Sequence, residues 1–133
     1  TGGSFTIANG QSTVDLFYKD TLVGAPSVSL ANVSGLTNPT AQVHTVVAAS
    51  GNQLAFTTPA PRTFTAGACM GAGQVITVQL RDLYGNAVLA GVGGQAFTAS
   101  STSAGTVTWY SDATCTTATG GSFTVANGVN GAH

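Results

Sequence analysis

Proton transfer, nucleophilic attack and metal binding all need reactive side chains gathered in one place, and this 133-residue chain has few to gather. Lys and Arg number three, Asp and Glu four and His two. His44 falls in a strand-patterned stretch without an evident Ser or carboxylate partner and reads as a strand-face side chain, and His133 is the last residue. The Gly91-Val92-Gly93-Gly94 run lacks the Lys-Ser/Thr ending of a phosphate-cradling loop. Asp82 with Asn86, or Asp15 with Asp20, could offer oxygens to Ca²⁺, but that ion usually takes six to eight ligands. Asp82 and Asn86 read instead as turn formers whose side chains bond nearby backbone. The expectation is no catalytic residue, no metal, no cofactor and no enzyme.

Cys69 and Cys115 are the two residues with a clear chemical role. Nothing around them resembles a metal or redox motif, so a disulfide is expected in preference to two free core thiols. Closing that loop is worth about 4 kcal/mol in the chain-entropy description. An oxidising compartment follows, extracellular or cell-surface. Tyr84, Trp109 and Tyr110 are the candidate ligand contacts, as aromatic groups for a glycan or a host surface protein; the alternative for Trp109 is a core position. Asn32-Val33-Ser34 matches a glycosylation acceptor.

Composition narrows the partners. With 5% charged residues and a net charge of −1, the chain cannot build a phosphate-neutralising stripe, which argues against nucleic acid and an anionic membrane surface. No apolar run approaches the roughly 18 to 20 residues that span a bilayer, so membrane insertion is not expected. The chain starts at Thr1 without an initiator Met, as a processed product, a fragment or an excised piece would.

The elements available to position these residues are strands. No window gathers strong helix formers at helical spacing. Residues 74–81 alternate cleanly, Ile76, Val78 and Leu80 against Thr77, Gln79 and Arg81; residues 13–19 alternate less cleanly, with Phe17 on the polar side. Further strands are expected at 4–8, 27–31, 43–48, 54–57, 62–66, 95–100, 106–110 and 122–126. Between them lie turn signals, notably Asn9-Gly10, Gly51-Asn52, Gly85-Asn86 and Asn127-Gly128. Short strands at this spacing indicate an all-β, two-sheet sandwich. Ile76, Val78, Leu80, Val14, Leu16, Val107 and Trp109 are expected to share one core.

One pattern sets the organisation. Residues 1–10 recur as residues 119–128 with a single exchange, Ile7 against Val125. The chain therefore carries a repeat unit plus one extra copy of a segment. Character changes at Gly51, which places the carboxy-terminal half of one unit at 1–51 and the amino-terminal part of the next at 52–133, ending in the duplicate. The fold is then circularly permuted or completed by strand exchange, with Phe5, Ile7, Phe123 and Val125 as the exchanging side chains. After Gly128 the likeness stops, as expected of a true chain end more than of an arbitrary cut inside an endless array.

Taken in the order 53–118 then 1–51, the residues resemble the bacterial immunoglobulin-like domains of the invasin and intimin type. Residues 76–88 are similar to that family's strand B with its Asp82-Leu83-Tyr84-Gly85-Asn86 turn. Residues 8–16 resemble its hairpin into strand F, and residues 20–30 its Gly turn into the next strand. The cysteine pair and the 109–112 segment depart from that pattern. The resemblance implies an immunoglobulin-like sandwich serving as a rigid rod segment in a secreted or cell-surface protein. Some surface-fibre domains of immunoglobulin type also carry a Lys–Asn crosslink; Lys19 is the one lysine here and falls on the polar phase of its strand. Two functions are expected from these features. The first is a structural repeat unit of a stalk or filament, joined head to tail to itself or to adjacent repeats by strand complementation. The second is an adhesin-type binding module working through its loop residues.

Overall fold

The computed structural model describes residues 2–32 and 34–132. Its strands are β1 (Ser27–Val28), β2 (Gln42–Val43), β3 (Gln53–Phe56), β4 (Val78–Arg81), β5 (Gln95–Thr98), β6 (Ser122–Val125) and β7 (Gly131–Ala132). A single 3-10 turn, Ala72–Gln74, is the only helical element among the described residues. All strand pairs are antiparallel, as the alternating apolar and polar pattern requires when one sheet face is left to water. The protein is all-β.

The strands form three small sheets: β1–β2, β3–β4–β7 and β5–β6. Among the described residues, no strand pair crosses Gly51. The hairpin β1–β2, extended by the Gly24 and Val46 bridge, lies wholly before it; the other two sheets lie wholly after it. Those two meet over one small core of Leu80, Ala90 and Val125, walled by Val88, Phe97 and Ala132. Alternation along β4 sends Leu80 inward, while Gln79 and Arg81 face the other way and bond each other, Nε to Oε1 at 2.8 Å. Gly51 closes on this core, since a Cβ there would stand 3.1 Å from the Leu80 side chain.

The core is smaller than the sequence suggests. Val14, Leu16 and Val107 are exposed, so they do not join Leu80 in the shared core expected of them. Val14 and Leu16 belong to the half before Gly51, whose strands pair only with each other among the described residues, and Val107 lies outside any strand. Many apolar side chains before Gly51 face water, and Leu16, Val28, Leu30 and Pro39 line a groove. The whole chain exposes 10061 Å². A compact monomer of 13.1 kDa exposes about 6,400 Å².

Candidate functional site

The two copies of the duplicated segment have opposite fates. The second forms β6 and pairs with β5 in the register Gln95↔Val125, Ala96↔Thr124, Phe97↔Phe123 and Thr98↔Ser122. Phe123 stacks on Phe97 at 5.7 Å between centroids and receives the edge of Trp109 at 6.4 Å. Val125 is fully buried. The first copy, with the same side chains, forms no strand; Phe5 is 58% and Ile7 52% exposed. Its turn nevertheless forms. Gln11 N donates to Ala8 O at 2.9 Å and Gly10 has φ 82, matching Val129 N to Ala126 O at 3.1 Å and Gly128 at φ 76. The Asn-Gly turn is thus fixed by local chemistry, whereas the strand needs an edge to pair with.

A second locus joins the halves. Asp82 is fully buried, and its carboxylate accepts four hydrogen bonds: Tyr84 N and Asn86 N at 2.9 Å on Oδ1, and Ala49 N at 3.0 Å and Asn86 Nδ2 at 2.9 Å on Oδ2. Asn86 reaches further, donating from Nδ2 to Thr21 O at 2.8 Å while its Oδ1 accepts from Val23 N at 3.2 Å. Asp20 shapes the segment it reaches, because its Oδ1 accepts from Thr21 N and Leu22 N. Within the second half, Gln53 Nε2 donates to Asp82 O at 2.9 Å and helps hold the turn. Burial raises the affinity of the Asp82 carboxyl for its proton, but the bonds from Asn86, Ala49 and Tyr84 together outweigh it and hold the group below its ordinary value. The turn-forming reading of Asp82 and Asn86 accounts for the local bonds. Contacts to Thr21, Val23 and Ala49 could not be read from the sequence, because they span tens of residues.

Cys69 and Cys115 form a disulfide with Cα atoms 5.8 Å apart. Its second half sits in a loop wound around Asp112, whose carboxylate accepts from Thr114, Thr116 and Thr117 and keeps Cys115 at φ 56. Those bonds, the Thr114 hydroxyl first, hold the Asp112 carboxyl well below the usual carboxylate range.

The remaining candidates stand apart. Trp109 is half-buried against Phe123, Tyr110 bridges to Ala118, and Tyr84 lies in the 82–86 turn. Ring contacts among the described residues do not join the three. Lys19 is exposed. His44 is exposed and meets the edge of Tyr18 at 5.8 Å, while His133 lies outside the described residues. In the glycosylation match Val33 also lies outside them; Asn32 spends Nδ2 on Leu36 O and Asn38 Oδ1. No family model matches the chain, and neither the curated proteins nor the solved structures contain a significant match to it.

Proposed function

We propose that the protein is a structural immunoglobulin-like repeat unit of an extracellular or cell-surface stalk or filament, joined head to tail by strand complementation. The observation that carries this reading is the surplus of exposed surface. At 10061 Å² the chain exposes about 3,700 Å² more than a closed monomer of its size. A standard protein–protein interface buries about 800 Å² on each partner, so the surplus of one chain is more than enough for the two interfaces that head-to-tail assembly requires. Two features support it further. The duplicated segment leaves one pairing-competent copy outside any strand, and Asp82 and Asn86 tie the two half-units together through Thr21, Val23 and Ala49. The disulfide suits an oxidising compartment.

Sedimentation velocity with negative-stain electron microscopy tests this. Rods that lengthen with protein concentration are the expected result. A compact monomer up to high micromolar concentration, or saturable glycan binding by that monomer, would count for a binding module instead.

A further inference from the structure

The place that a second copy fills can be named. Gly121 sits at φ 87, and a Cβ there would stand 2.9 Å from Ala99 O and 3.4 Å from the Trp109 ring. Only glycine fits that approach. Its counterpart Gly3 meets no such demand: its φ is not left-handed, and the atoms near its missing Cβ belong to Phe5. Residues 2–10 therefore carry the features of a strand beside β5, including the glycine, without occupying one. We propose that residues 3–9 of one chain insert along β5 of a second copy and displace its β6. The register would be the one β6 holds, with Ser4 opposite Thr98, Thr6 opposite Ala96, Phe5 stacked on Phe97 and Ile7 in the buried place of Val125. This rests on strand complementation and adds the acceptor, the register and the competitor.

Exchange within one chain would replace a strand by its duplicate. From a second copy the same segment arrives with residues 11–47 attached. Phe17, Leu22, Leu30 and Val47, all exposed, then have an acceptor face to cover. The strands themselves differ by one methylene, so exchange between copies draws on whatever part of that exposed apolar surface the second copy covers.

Ala99 N donates to Gly121 O, so 99/121 is a hydrogen-bonded pair and 96/124 is a non-bonded one, in which side chains approach most closely. Ala96 and Thr124 both face water. The experiment mixes full-length Ala96→Cys with full-length Thr6→Cys in a glutathione buffer and identifies cross-links by mass spectrometry. An interchain 6–96 disulfide is expected, well above the yield from Ser4→Cys with Ala96→Cys, which is two residues out of register. Adding Val125→Ala to the acceptor should raise the equilibrium constant for exchange about 30- to 100-fold, and the cross-linked fraction with it until it saturates, because it weakens the incumbent strand alone. Equal yields from the two pairs, or no rise with Val125→Ala, would overturn the proposal. Rods without a 6–96 cross-link would overturn the acceptor and register while leaving head-to-tail assembly standing; monomers without cross-links would overturn both.

Discussion

Because Val125 and Ile7 occupy the same place in the same ten-residue motif, truncating each to alanine gives a controlled comparison of a filled slot with an empty one. Val125 is fully buried between Leu80 and Ala90. Alanine there removes two methyl groups, about 1.6 kcal/mol of transfer free energy at roughly 0.8 kcal/mol per carbon, and leaves a cavity that brings the total to about 2 to 3 kcal/mol. Ile7 is 52% exposed and touches no core. Its truncation should cost below about 1 kcal/mol in the dilute monomer, although it removes more carbon. Urea unfolding followed by fluorescence suits the question, since Trp109 is the single tryptophan and packs on Phe123 in the same strand pair. With a slope of about 1 kcal/mol per molar urea, the Val125→Ala midpoint should fall by about 2 to 3 M while Ile7→Ala stays within about 1 M of the parent. Equal shifts for the two variants would refute the assignment of residues 122–125 as sole occupant of the β5 edge. A larger shift for Ile7→Ala would reverse it.

Acid provides a further test. The Asp82 and Asp112 carboxyls are both held below their ordinary value, so the stability they confer is present above the unfolded value near 3.9 and is lost as pH falls through the lower folded values. Urea midpoints should therefore be flat from about pH 7 to 5 and drop below about pH 4, with a shallower drop for Asp112→Asn; a midpoint that rises on acidification would contradict the hydrogen-bond assignment. At the joint, Asn86→Ala removes the bonds to Thr21 O and Val23 N. Amide exchange at Val23 should accelerate at least tenfold while the β5–β6 amides keep their protection, and unchanged exchange at Val23 would show that the tie does not hold the halves together.

Residues 74–81 and 122–126 were legible as strands because their alternation coincides with a neighbour that buries one face; the structure trims them to β4 and β6. Residues 4–8 and 13–19 carry comparable patterns and form no strand among the described residues. Alternation records the capacity to pair, and pairing requires an edge: for residues 4–8 the other copy holds the β5 edge, and residues 13–19 have no paired edge among the described strands. Residues 62–66 fail for another reason: Arg62 is drawn to Gly73 O and Gln74 Oε1, which holds the segment against the 3-10 turn as a loop. The disulfide was readable because two cysteines leave one pairing. β7 was missed, since Gly131–Ala132 has no strand signal of its own and is recruited by β4. The Asp-x-x-Gly-Asn turn was visible, but its reach to Thr21 and Ala49 depends on tertiary placement that no local pattern encodes.

The tie at Asp82 and Asn86 also has a mechanical consequence. It grips the chain twice, at Thr21 to Val23 and again at Ala49, so the intervening hairpin leaves the turn and returns to it. Tension applied along the chain can pass from residue 21 through Asn86 and Asp82 to residue 49 without loading β1 or β2. The hairpin is therefore a side loop off the force path, and its short two-residue ladder need not be strong. Changes of length or composition beyond β1 and β2 therefore leave the Asn86 bonds to Thr21 O and Val23 N and the Asp82 bond to Ala49 N in place.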